Sequence, residues 1–136
     1  MISYGWLEDV AVTDGLVDAD GWATQHVVLE FRAKKLGSGI KVALFNPDVS
    51  PKFISTRVKC VLNGTVEGSV RMNMGTRGEI NLNAIPYVDK PNELSIDVST
   101  FLEPDQLDPR ERATILLGID LIGIKAGIVN TVRGHK

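Results

Sequence analysis

The residue types that could do chemistry crowd into one stretch, Asp14-Gly15-Leu16-Val17-Asp18-Ala19-Asp20-Gly21-Trp22. Asp18-x-Asp20-Gly21 opens like a calcium loop. Such a loop needs several oxygen ligands and closes on a bidentate Glu. Counting forward puts Val27 at that place, so an EF-hand is excluded. What is left for a metal is a structural calcium held by Asp18, Asp20 and backbone carbonyls. The plainer reading is a solvated turn rich in Asp and Gly. Trp22 brings a second chemistry. Sugar rings present apolar C–H faces that stack on an indole, while Asp, Gln and Arg bind the hydroxyls. Trp22 with Asp18, Asp20, Gln25 and Arg32 is therefore a candidate glycan site. The competing reading has Trp6 and Trp22 plugging the ends of a core, each indole N–H on a loop carbonyl. Plugging is the expectation for Trp6, and both readings stay open for Trp22.

Other chemistries lack their parts. The chain has two histidines, His26 and His135, and neither lies near a nucleophile motif or a Gly-x-Ser-x-Gly elbow. Two carboxyls about 5–9 Å apart would serve a glycosidase. Asp18 with Asp20, or Glu8 with Asp9, are the near pairs, and nothing singles one out. One cysteine and two histidines are too few for a common structural zinc. Gly37-Ser38-Gly39 lacks the Lys-Ser/Thr that completes a phosphate loop. The expectation is a non-catalytic chain with no cofactor beyond that calcium. A net charge of −2 without a Lys/Arg run argues against nucleic acid. No stretch reaches transmembrane length, and the amino end lacks a signal pattern, which favours a soluble cytoplasmic protein. Cys60 has no internal disulfide partner, so the core alone must hold the fold.

The elements that would position these residues read as strands. Short runs cover Asp9 to Thr13, His26 to Ala33, Ile40 to Phe45, Arg57 to Leu62, Val66 to Met72, Glu79 to Asn83, Glu93 to Val98 and Thr114 to Ile124. Gly, Pro, Asn and Asp separate them. Four runs obey a period of two. Val27, Leu29, Phe31 and Ala33 oppose Glu30 and Arg32; Ile40, Val42 and Leu44 oppose Lys41. Val58, Cys60 and Leu62 oppose Arg57 and Lys59; Leu94, Ile96 and Val98 oppose Glu93, Ser95 and Asp97. Cys60 falls on the inward parity, as a small buried hydrophobe. Asn63-Gly64 marks a two-residue hairpin turn; with Thr65 it is also a glycosylation sequon, but the turn needs no secretion. The nearly continuous apolar run Ile115 to Ile124 predicts a central strand covered on both faces, or one whose outer face meets a partner. Pro104 to Arg112 is the one segment expected to form a helical turn. Together these predict an all-β fold, a jelly-roll-like β-sandwich of about eight antiparallel strands, with other Greek-key wirings open. One domain spans 1–126. Residues 127–136 form a tail or a short edge strand around Gly127-Ile128-Val129.

A family resemblance follows from the order of Gly5-Trp6-Leu7-Glu8, Asp20-Gly21-Trp22-Ala23, Val58-Lys59-Cys60-Val61-Leu62-Asn63-Gly64 and Asp108-Pro109-Arg110-Glu111-Arg112. This order, over Tyr4 to Ile124, resembles β-sandwich accessory domains beside glycosyltransferases and methyltransferases in bacterial surface-polysaccharide clusters, which are similar to carbohydrate-binding modules. The resemblance implies a glycan or glycosylated partner, and an Asp108–Arg110 charge pair that braces the final loop. The alternative is a structural subunit, a homo-oligomer or a particle or filament component. It would use the outward apolar residues Val28, Ala43, Phe45 and Val61 as a partner surface.

Overall fold

Parity along the strands decides the architecture. The computed structural model describes residues 2–123. Its strands are β1 (Leu7–Asp14), β2 (Trp22–Ala23), β3 (His26–Ala33), β4 (Gly39–Asn46), β5 (Ser55–Leu62), β6 (Val66–Asn73), β7 (Thr76–Leu82), β8 (Asn92–Val98) and β9 (Thr114–Ile122). All eight sequence runs reappear, with bounds moved by a few residues. Val27, Leu29, Phe31, Ile40, Val42, Leu44, Val58, Cys60, Leu62, Leu94, Ile96 and Val98 are all buried in one core cluster. Successive side chains on a strand point to opposite faces, so this one choice of parity builds the interior.

Two sheets enclose that core, ordered β1-β3-β8-β5-β6 and β2-β9-β4-β7. From β2 onward this is jelly-roll wiring, with β1 added beside β3. β1 is an edge strand broken by two register shifts, one of them at Asp9, which has φ 52°. Such bulges blunt an edge against pairing with another chain. At the other seam β6 crosses close over β7, and only glycine fits there. A Cβ on Gly68 would lie 2.8 Å from the Ile80 side chain. β9 is central, between β2 and β4, with a shift between Leu116 and Gly118 that leaves Leu117 without a register partner on β4. The antiparallel registers bring the β1–β2, β2–β3, β4–β5, β6–β7 and β8–β9 connections to one end of the sandwich.

Three expectations need correction. The Asn63-Gly64 turn forms, with φ 52° and 75° and the Thr65 N–H bonded to the Leu62 carbonyl at 3.1 Å. Strand pairing, however, resumes at Leu62 opposite Val66, so the connection is three residues long rather than two. Residues 104–112 form no helix. Asp105 Oδ1 accepts from the Leu107 and Asp108 N–H groups, both at 2.8 Å, and this local bonding displaces the helical pattern. The proposed partner surface is not one patch. Val28 and Val61 lie on the outer face of one sheet, Ala43 and Phe45 on the other, and Ala43 is buried. The two-residue β2 and a short 3-10 turn, Pro51–Phe53, were not foreseen. Ile124 and the 127–136 tail lie outside the described residues.

Cys60 is fully buried, and burial pushes its thiol up to about 12, so it stays a neutral apolar group. Cys60→Ser should cost roughly 1–3 kcal/mol, because the hydroxyl enters the core without an assured partner. Urea unfolding measures this directly, and an unchanged midpoint would contradict the tight packing of the site.

Candidate functional site

The loop end is built around Arg110. Its guanidinium grips Asp108 with two bonds, Nε to Oδ1 at 2.9 Å and Nη2 to Oδ2 at 2.8 Å. The expected Asp108–Arg110 brace is therefore present. Nη1 then reaches across to the β1–β2 loop, at 3.2 Å from Asp18 Oδ2 and 3.0 Å from Asp20 Oδ2. One cation thus joins three carboxylates from two loops. Local turns hold them in place. The Gly21 N–H donates to the Asp18 carbonyl and the Asp18 N–H to the Trp22 carbonyl, both at 2.9 Å. Gly21 sits at φ 95°, which a side chain would strain. The Trp22 N–H donates to Asp20 Oδ1 at 3.2 Å. Behind Arg110, Arg112 bonds to the Arg110 carbonyl at 3.2 Å and to Asp105 at 3.4 Å.

Electrostatics follow this geometry. The Arg110 hydrogen bond outweighs desolvation and holds the Asp108 carboxyl at about 2. Asp20 is also below its usual range; partial desolvation opposes this, but the Arg110 and Trp22 hydrogen bonds prevail. The Asp108 and Asp20 bonds keep Arg110 more firmly protonated than usual. Much of each side chain stays open, with Asp18 40% and Asp20 53% exposed. Their remaining lone pairs can accept from a ligand. The cation facing Asp18 and Asp20 is therefore Arg110. Among the described residues, no group of three or more His, Cys, Asp or Glu is arranged around a metal position.

Trp22 is the first residue of β2. It is half-buried and lies 6.3 Å from the Phe53 ring, tilted by 32°. Its register partner is Ile115, and it shares the outer face of the four-stranded sheet with it. The ring is thus both packed and partly open. Gln25 lies beside the site, tied through its backbone to Glu111 Oε2 at 2.7 Å and to the Val98 N–H at 2.9 Å. Arg32 is not brought here. It sits at the far end of β3, about 20 Å along the strand from His26, where it pairs with Glu8. Trp6 departs from expectation as well. It does not plug the core but is 43% exposed, with the Lys35 ammonium 5.3 Å from its ring centroid.

A second cluster escaped the sequence reading. His26 Nδ1 lies 2.6 Å from Asp97 Oδ1, and Nε2 lies 3.5 Å from Asp14 Oδ2. The Asp97 hydrogen bond outweighs desolvation and raises the His26 pKa, aided by the Asp97 and Asp14 charges. Both ring nitrogens face carboxylates, which suits an imidazolium and leaves no nitrogen free to serve as a base. A raised folded-state pKa contributes stability below the ordinary value of 6.5, and that contribution is lost as pH rises through the folded value. The melting temperature should therefore fall modestly from pH 6 toward pH 8, and His26→Gln should flatten that slope. An identical slope in the variant would show that the pair does not bear on folding.

Comparison of the chain with protein-family models, curated proteins and solved structures found no match.

Proposed function

We propose that this chain is a non-catalytic binding module that recognises a glycan at the loop end of its jelly roll. The observation that carries the reading is the single guanidinium that fixes Asp18, Asp20 and Asp108 in the loops around Trp22, whose backbone N–H bonds to Asp20 and whose indole is half-open. A sugar ring needs a flat apolar surface for its C–H face and fixed polar groups for its hydroxyls. Trp22 supplies the first. The open lone pairs of Asp18 and Asp20, with Gln25 alongside, supply the second. Because the ion network sets their positions beforehand, little ordering remains to oppose binding. A site of this size suits millimolar to micromolar affinity, about −4 to −8 kcal/mol.

The carboxylate chemistry supports a binding role over glycoside hydrolysis. A glycosidase keeps one carboxyl protonated near neutral pH to act as acid. Here Asp20 and Asp108 are shifted the other way. Among the described residues, no helix is long and apolar enough to cross a membrane.

The test is a glycan array probed with the native chain and with Trp22→Leu. Leucine keeps an apolar contact with Phe53 and removes the aromatic face. Array binding should disappear in the variant while its melting temperature stays within a few degrees. Binding that survives in Trp22→Leu, or a native chain silent on every glycan, would defeat the proposal.

A further inference from the structure

The outer face of the five-stranded sheet carries charge that its own ladder does not balance. Arg57 of β5 and Arg71 of β6 stand directly opposite each other. Both side chains are exposed, while the neighbouring Val58 and Met72 point into the core. Like charges facing each other across a strand pair repel, with Cβ atoms about 5 Å apart. Among the described residues, no carboxylate lies within 4.0 Å of either guanidinium. Lys59, two residues along β5, instead reaches diagonally to Glu67 at 3.3 Å. The two arginines are also held. Arg71 Nη1 donates to Ser55 Oγ at 3.2 Å, and the Arg57 backbone is clamped to Ser99 by two bonds of 2.9 Å. Beside them Arg57, Lys59, Glu67, Gly68 and Ser69 line a shallow depression of about 400 Å³. On a chain of net charge −2, this is a local cationic surface. No basic run announces it, because its members alternate along two strands.

We infer that the Arg57–Arg71 face binds a tetrahedral oxyanion, the ester phosphate or ester sulfate of a small polar ligand. A guanidinium meets such an oxyanion with two parallel N–H bonds. One oxyanion between the two arginines would replace their repulsion with two attractions, and the Ser69 hydroxyl lining the depression adds a further donor. The site lies on the sheet opposite the one that carries Trp22, so it stands or falls independently of the glycan reading.

Thermal melts and NMR of the arginine Nε–H groups test it, with millimolar phosphate compared against chloride at equal ionic strength. Phosphate should raise the melting temperature and shift both the Arg57 and Arg71 signals. Arg71→Gln should weaken phosphate binding by roughly tenfold. Arg71→Glu should behave in two opposite ways. It should melt higher than the native chain in chloride, because opposite charges now face each other, and it should lose the phosphate response. Phenyl phosphate and phenyl sulfate distinguish the two esters, since the one that shifts the arginine signals at lower concentration identifies the ligand class. Equal melts in the two salts, unmoved arginine signals with both esters, or a phosphate response that persists in both variants would each overturn the site.

Discussion

Arg110→Met lowers the melting temperature by several degrees and loosens the loop end while the sandwich stays folded. The reason is the number of partners on one side chain. Asp18, Asp20 and Asp108 are neutralised together by a guanidinium within 3.2 Å of each. Taking away one partner leaves the others as uncompensated like charges, which is worse than losing an isolated surface pair. Solvent reaches the cluster, so salt screens the effect, and the deficit should be greatest at low ionic strength. The pH dependence has a definite sign. Asp108 and Asp20 are held below their ordinary value of 3.8. Their contribution is present above that value and is lost as pH falls through the folded value, which for Asp108 is about 2. The native chain should therefore weaken between about pH 4 and pH 2, and Arg110→Met should lose most of that limb. Melts scanned over pH and salt measure both effects. Superimposable curves at low salt would show that the network is only a solvated surface contact.

Phe53→Ala should have the larger effect on stability, about 3–5 kcal/mol. For a chain of 136 residues that is a drop in melting temperature on the order of 10 °C. Phe53 is fully buried yet stands outside the main core cluster. It is placed by a 3-10 turn whose first N–H groups are capped by Ser50, with the Lys52 N–H on Ser50 Oγ at 3.2 Å. Asn46 Nδ2 anchors its carbonyl at 2.8 Å. Its ring faces Trp22. Truncation would leave a cavity beneath the indole as well as removing buried area, so ligand binding should weaken together with stability. Urea unfolding gives the first quantity and array binding by the folded variant gives the second. A loss within the roughly 0.5 kcal/mol typical of surface substitutions would mean that Phe53 does not support the site.

What the sequence revealed and what it hid divide along a physical line. Alternation is local, so the inward set from Val27 to Val98 was legible, and with it the two-layer interior. Asn63-Gly64 was legible because positive φ at both residues suits few other pairs. The loop residues Asp18, Asp20 and Trp22 were legible as a group because they are close in the chain. Their organiser was not, since Arg110 meets Asp18 across 92 residues, and strand spacing does not fix which loops share an end. The His26–Asp97 pair, 71 residues apart, was hidden for the same reason. Arg32 is close to Trp22 in sequence, but an extended strand carries it to the opposite end, which the sequence does not show. Two residues of β2 are too few to show a period. Between Pro104 and Arg112 the charge pattern suggested a helix, but Asp105 bonds its own backbone neighbours instead. Trp6 shows how little a lone aromatic says about its burial.

The two tryptophans lie at opposite ends of the sandwich, so their indole N–H signals give the most direct measurement. Titrating the native chain with its strongest array ligand should shift the Trp22 signal together with the amides of Asp18 to Gly21, and leave Trp6 in place. A shift at Trp6 alone, or binding that moves neither indole, would contradict recognition at the Arg110 end.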